Sequence, residues 1–380
     1  MPGPPGRRSI DTSKRPFVLI WEQTRACALA CTHCRADAQP ERHPDELTTA
    51  DGKRLLEDTS DFGEGQLVVL SGGDPLVRDD VPELIEYGTD LGLRMTITPS
   101  GTRSVTRDRI EALSEAGLRR MALSLDGATP ESHDAFRGEA GSFAETIRAM
   151  KDARAAGVPV QINTTVCRQT VDELPAIRDL LADLGVIMWS VFFLVPVGRG
   201  RILEPISPEE ADAVMSWLGE VSDSEPFGVK TTEAPQYRRV RLQERRESDD
   251  GTVDADGLRR RSGIVAGDGF AFVSHVGEVY PSGFLPVSAG NVREEPITAI
   301  YRDSALFRSL RDRGRLRGKC GACEFRTVCG GSRSRAYAYT GDPLESDPLC
   351  PYVPAEYDGP LPWDDPTSAP SPPSRPTDAD

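Results

Sequence analysis

The chain has 380 residues, enough for one large hydrophobic core and a smaller second one, and carries a formal net charge of −15 at pH 7. That surplus of acid argues against binding a nucleic-acid backbone, whose affinity comes from clustered Lys and Arg. No apolar run reaches the about eighteen residues of a transmembrane helix. The start Met1-Pro-Gly-Pro-Pro-Gly-Arg-Arg lacks the apolar stretch of a secretion signal, so a cytoplasmic location without membrane attachment is expected.

Residues 1–14 and 357–380 are rich in Pro, Ser, Asp and Gly and read as disordered tails. Between them, short apolar runs predict strands at Phe17–Trp21, Leu67–Ser71, Met95–Thr98, Met121–Leu125, Val160–Val166 and Met188–Leu194. Such runs suit parallel strands buried on both faces. Helices alternate with them. Capping boxes are read at Ser142/Glu145, Thr170/Glu173 and Ser207/Glu210, with Pro208 at the favoured first position. Gly157 and Gly185 close two of the helices. Six strand–helix units in series predict an α/β fold over residues 15–224, a parallel sheet curled into a partial barrel. Its chemistry belongs at the carboxyl ends of the strands. Residues 225–265, basic over Glu233–Arg246 and acidic over Asp249–Gly257, break the rhythm and read as a linker or lid. A smaller unit at 266–356 opens with a hairpin, Phe270–Ser274 and Glu278–Tyr280 around Val276-Gly277, and ends rich in cysteine.

Seven of the eight cysteines fall into two groups with metal-ligand spacing; Cys167, at the end of an apolar strand, reads as a small core residue. A reducing cytoplasm leaves such thiols free for metal. Cys27, Cys31 and Cys34 follow the first strand at intervals of three and two residues, with His33 beside the last. Ferredoxin clusters take four thiolates, and structural zinc sites are closed by four ligands. Three thiolates leave one iron of a four-iron cubane open for a small molecule. This loop resembles the signature of the radical S-adenosylmethionine (SAM) superfamily, where the open iron chelates the amino and carboxylate groups of SAM. The resemblance implies a SAM-binding [4Fe-4S] cluster and an oxidoreductase that cleaves SAM to a 5′-deoxyadenosyl radical, which abstracts hydrogen from a substrate.

Within that resemblance, Ser71-Gly72-Gly73-Asp74-Pro75-Leu is similar to the family's Gly-Gly-Glu-Pro motif, with Asp74 in place of Glu. Its backbone groups would meet the methionine amino group; taken alone it is a turn. Ser124 and Asp126, ending the fourth strand, would bind the ribose or methionine part of SAM, or else form an Asx-type turn. Asn163 and the segment Thr98-Pro-Ser-Gly are further cofactor candidates, and Arg137 would pair with the cofactor carboxylate or with an acidic neighbour.

Cys320, Cys323, Cys329 and Cys350 form the second group. Four thiolates saturate a cubane, which suits electron transfer, and the opening Cys-x-x-Cys also fits structural zinc. Beside the first loop, a second, auxiliary [4Fe-4S] cluster is the expectation, and this end resembles a SPASM or shortened twitch domain. Ser282 stands where a full SPASM domain has an early cysteine, which implies one auxiliary cluster here. The fold expected is therefore a partial (β/α)6 TIM-like barrel with a small cysteine-rich SPASM/twitch-like domain. Arg199, Arg201, Tyr237, Arg238 and Arg239 are candidate holders of substrate carboxylates, and His275 reads as a turn residue. Over residues 15–355 the motifs look like those of tetrapyrrole side-chain enzymes: the alternative haem synthase, which oxidatively decarboxylates propionates to vinyls, and the haem d1 maturase. Similar scaffolds serve peptide maturases and coenzyme or natural-product biosynthesis, so the substrate is a small molecule or a peptide. The electron donor would be a ferredoxin or flavodoxin. A redox sensor without catalysis is the reading from another class; three-cysteine ligation and the glycine-rich strand end speak against it.

Overall fold

The computed structural model describes residues 10–247 and 264–362. The acidic stretch Asp249–Gly257 and the outer parts of both proposed tails lie outside the described residues. One sheet organises the molecule. Its strands are β1 (Val18–Thr24), β2 (Leu67–Gly72), β3 (Arg94–Ile97), β4 (Arg120–Ser124), β5 (Val160–Val166), β6 (Met188–Phe193), β7 (Gly228–Thr232), β8 (Val265–Ala266), β9 (Gly269–Val273) and β10 (Val279–Tyr280). They run in the order β10-β9-β1-β2-β3-β4-β5-β6-β7, with β8 on β9. β1 to β7 are mutually parallel, β9 joins β1 in parallel, and only β10 turns back. The sheet curls without closing. The six barrel strands thus stand where the apolar runs placed them, within a few residues at each end.

Paired residues in a parallel register share a face. The outer face carries Leu19, Trp21, Leu70, Ile97, Met121, Ile162 and Trp189, all fully buried under the helices in one continuous core. The inner face differs from the expected double burial. β5 alternates strictly between buried and half-buried positions, so Gln161, Asn163 and Thr165 look into the barrel. A half-barrel needs helices on one side only, and its mouth can keep polar side chains.

The Ser207/Glu210 capping box forms, with Pro208 in the first turn of helix Pro208–Ser224. The other two boxes do not. Asp134, from the preceding helix, accepts from Gly141 N at 2.6 Å and Phe143 N at 2.7 Å, so Ser142 starts its helix without capping it. Thr170 instead closes the strand end, donating to the Thr165 carbonyl at 2.6 Å. Thr48/Asp51 and Thr129/Ser132 supply boxes the sequence reading passed over.

Residues 225–247 are not a plain linker. Phe227 packs edge-on against buried Trp189, and the next five residues add β7 to β6. Helix Tyr237–Glu247 lies on helix Pro208–Ser224, where Arg239 pairs with Asp212 and Arg241 with Asp223, both at 2.5 Å. The basic run is a face that meets the acids of its neighbour. The hairpin was expected to begin a separate unit, yet β9 extends the barrel sheet past β1, with Phe272 opposite Ile20.

Candidate active site

The carboxyl ends of the strands surround a cavity of about 200 Å³. Cys27, Cys31 and Cys34 form part of its wall, with Gly72, Gly73, Ser124 and Asn163 across from them. The cysteine loop is tied to the end of β2 by Gly73 N donating to the Thr24 carbonyl and Asp74 N to that of Ala26, both at 2.8 Å. This approach demands glycine. A Cβ on Gly72 would stand 2.3 Å from Thr24 O, and one on Gly73 2.4 Å from Ala26 O. Gly72 also sits at φ 148°, a conformation side chains resist.

The far end of the loop is clamped by Arg199, whose Nε donates to the Cys31 carbonyl and Nη1 to that of Ala38, each at 2.9 Å. Arg199 is therefore a brace for the loop, not a free carboxylate holder, while Arg201 is exposed beside it. Arg239 is committed to Asp212. Neither Tyr237 nor Arg238 lines the cavity.

Two cavity residues rest on a buried acid behind the wall. Asp126 lies 3.7 Å from His33 Nε2 and 3.6 Å from Arg137 Nη1, and its Oδ1 accepts from Thr165 N at 2.8 Å. Asp126 itself does not reach the cavity. His33 stacks on Phe136 with ring centroids 4.6 Å apart, and burial pushes its pKa down to about 4 against the pull of Asp126. It is a neutral ring. Arg137 is buried and donates to the Ser100 carbonyl at 3.1 Å, while Ser100 Oγ touches Cys27 Sγ at 3.2 Å. Asp74 turns away too, accepting from Leu76 N at 3.1 Å and from Ser104 at 3.0 Å; its carboxylate and Pro75 build the turn. Asp74, Pro75 and Asp126 thus hold the wall from behind, and Ser124 and Asn163 are its polar surface.

Sequence reasoning missed Arg35, Phe192 and Phe284, which line the same cavity. Arg35 pairs with buried Glu22 at 2.8 Å and lies 4.7 Å over the Phe272 ring. His275 stands, as read, in the hairpin turn that Gly277 N closes on the Ser274 carbonyl at 3.0 Å; it is also buried, with Nδ1 3.1 Å from Glu22 Oε1. Nothing local in the sequence marks these contacts.

The second thiol group also shares one cavity, bounded by Cys320, Cys323, Cys329 and Cys350 together with Gln236, Arg239 and Lys319. Backbone amides of Phe325, Gly331 and Asp347 donate to Cys323, Cys329 and Cys320, each at 3.4 Å. Burial drives three thiols upward, Cys323 to about 11 and Cys350 to about 12, with Cys329 higher still. Burial also raises Cys27 and Cys31. Ser282 donates to Glu233 Oε1 at 3.0 Å, in company with Ser334 at 2.9 Å, so no thiol stands there. Cys167 is fully buried against Phe136, Leu194 and Leu203, the core role expected of it.

A scan against family models matches residues 21–181 to the radical SAM superfamily. An AdoMet-dependent heme synthase of Methanosarcina barkeri is 41% identical over 349 residues, spanning 91% of this chain and 99% of that protein. The chain belongs to the radical SAM superfamily. A second M. barkeri relative, an Fe-coproporphyrin III synthase, is 33% identical across 90% of this chain and 89% of its own. Among solved structures, SuiB of Streptococcus suis bound to precursor peptide SuiA superposes with a TM-score of 0.69 at 17% identity, covering 89% of this chain and 76% of that one. That likeness supports the fold.

As a radical SAM enzyme, the protein uses a [4Fe-4S] cluster and SAM, and its donor sets fit such clusters. Among the described residues no three His, Cys, Asp or Glu side chains converge on a point fit for a single ion. Each thiol group instead faces a common hollow, which suits a cubane whose irons lie apart. Metal binding would also relieve the cost of thiolates at buried positions. No helix among the described residues is long and apolar enough to cross a membrane. Gly73→Ala in this radical SAM enzyme should push the cysteine loop off β2, since the blocking atoms are backbone. SAM cleavage should fall about a hundredfold, read as 5′-deoxyadenosine formed under anaerobic reduction. A parental rate would mean that the loop yields freely.

Proposed function

We propose that this chain is a haem synthase-type radical SAM enzyme, converting propionate side chains of an iron porphyrin into vinyl groups. The observation that carries this reading is the 41% identity to an AdoMet-dependent heme synthase along nearly the whole of both chains. Cys27, Cys31 and Cys34 hold the SAM-binding cluster, and Cys320, Cys323, Cys329 and Cys350 hold a second, auxiliary [4Fe-4S] cluster. When bound, the first cluster supplies the electron that breaks the sulfonium of SAM and so makes hydrogen abstraction possible.

The chain's own residues bind and orient. Backbone groups at Gly72 and Gly73, on the cavity wall, would receive the methionine end of SAM, and the buried Arg137 guanidinium would meet its carboxylate. Ser124 and Asn163 offer a hydroxyl and an amide to the ribose; Gln161 holds the Asn163 side chain by donating to its Oδ1 at 2.7 Å. Phe192 and Phe284, with ring centroids 6.4 Å apart, give the cavity an apolar edge suited to a flat macrocycle and to excluding water. Each propionate must lose CO₂, a hydrogen atom and one electron. Cys320, Cys323, Cys329 and Cys350 would hold a fully ligated cluster that would supply an acceptor for that electron, and a cytoplasmic ferredoxin or flavodoxin would supply the reducing electron. The test is anaerobic incubation of the reconstituted protein with SAM, dithionite and iron-coproporphyrin III. Mass spectrometry should show products lighter by one, then two, units of formic acid. SAM cleaved while the porphyrin is recovered unchanged would refute the reading.

A further inference from the structure

The inner face of the barrel carries cations that no acid among the described residues answers. Register places Ser124, Asn163, Ser190 and Lys230 side by side on β4, β5, β6 and β7, all on the barrel interior. Ser124 and Asn163 line the cavity, so Lys230 stands at the same height on the open edge of the half-barrel. Arg120, at the start of β4 and two inward positions below Ser124, reaches across β5, and its Nη1 comes to 3.6 Å from Met188 Sδ on β6, one step below the row. Met188 pairs with Gly228, two residues before Lys230, so the guanidinium is drawn toward the strand that carries the lysine.

The electrostatics are one-signed. Lys230 is accessible from the open side, yet desolvation by the surrounding strands and then the Arg120 charge push its ammonium pKa down to about 8. Arg120 is lowered by desolvation and then by Arg94, the next cation along on β3. Among the described residues no carboxylate figures among the charges acting on either group. This is unusual in a chain of net charge −15, where Arg148 alone engages both Glu145 and Asp152. Like charges on one wall repel, and an arriving anion relieves that repulsion.

We propose that Arg120 and Lys230 form a carboxylate-binding subsite on the inner barrel wall, which anchors an acidic side chain of the substrate; this rests on the porphyrin reading above. Arg120 offers a planar fork, and Lys230 a point charge on a flexible stem. Ser190 and Thr232, their hydroxyls 3.2 Å apart, add donors beside the lysine. A macrocycle lying against Phe192 and Phe284 would direct a propionate arm inward along this wall, leaving another arm near the cysteine loop.

The test titrates iron-coproporphyrin III and its tetramethyl ester into the anaerobic holoenzyme, following the porphyrin absorbance. The parent should prefer the free acid. Lys230→Met and Arg120→Met, which keep the apolar stems, should weaken binding of the free acid by about tenfold or more while affinity for the ester stays the same. Lys230→Arg should restore the preference. A purely structural role would shift both ligands together, so variants that keep the parental ratio of acid to ester affinity would overturn the subsite. If the parent bound neither porphyrin, the functional reading itself would fail, and with it this choice of ligand.

Discussion

Cys27→Ala is expected to drop the iron of the reconstituted protein from about eight atoms per chain to about four and to abolish 5′-deoxyadenosine formation. The site has three thiols and no spare. Cys27 Sγ is set by the Leu29 amide at 3.3 Å and by Ser100, and no other cysteine lines that cavity beyond Cys31 and Cys34. His33 cannot stand in, because its ring is stacked flat on Phe136 with only 14° between the planes. Cys350→Ala should lose a similar share of iron with a different consequence. SAM cleavage survives, because the first loop is untouched, but formation of vinyl product stops when the electron has nowhere to go. Iron analysis and deoxyadenosine assays on the two variants therefore separate the roles. Iron that stays near eight in Cys27→Ala, or cleavage lost equally in both variants, would detach the chemistry from this division.

The parts of this site that were legible in the sequence are those written within a few residues. Cys27, Cys31 and Cys34 sit on one loop, and the Gly72-Gly73 pair sits on one strand end, so spacing alone exposes them. The strands were legible because their outer faces are packed with Leu, Ile, Val, Met and Trp. Their inner polar residues were harder to place: Gln161 and Asn163 interrupt the apolar run at a period of two, which the continuous reading of β5 passed over. Which way a carboxylate beside a motif turns was not written in the sequence. At a strand end an Asp either faces the ligand or folds back to its own turn, and Asp74 folds back on Leu76 N. Long-range partners left no trace. Arg199 clamps Cys31 across 168 residues, and His275 meets Glu22 across 253. Strand β7 was hidden inside a stretch whose charge suggests solvent, because none of its own residues is buried and it is held by pairing with β6 beside the Trp189–Phe227 contact.

Asp347→Ala is expected to cost about 3–5 kcal/mol, a large part of the stability of an ordinary domain, and to release the second cluster before the first. Asp347 is fully buried and collects four donors: Ser332 N at 2.6 Å, Gln236 Nε2 at 2.5 Å, Leu349 N at 3.1 Å and Arg335 Nη1 at 3.2 Å. Its own amide donates to Cys320 Sγ, so the acid and the thiol cavity share one stretch of backbone. Arg335 carries the link to the barrel, donating to the carbonyls of Phe193 at 3.1 Å, Leu194 at 3.0 Å and Glu233 at 2.8 Å. Removing the carboxylate leaves that guanidinium buried without its counter-charge, which is more costly than losing the attraction alone. The double variant Asp347→Ala/Arg335→Met should therefore be more stable than Asp347→Ala, because the stranded charge goes with its partner. Thermal melting gives the first comparison, with a drop of about 5 °C or more for the single variant. Iron analysis gives the second, with about four atoms retained and SAM cleavage persisting. A double variant no more stable than the single one would mean that the pair adds little beyond its backbone hydrogen bonds. The tie between barrel and thiol cavity would then rest on Glu233, which gathers Ser282, Ser332 and Ser334 from both sides.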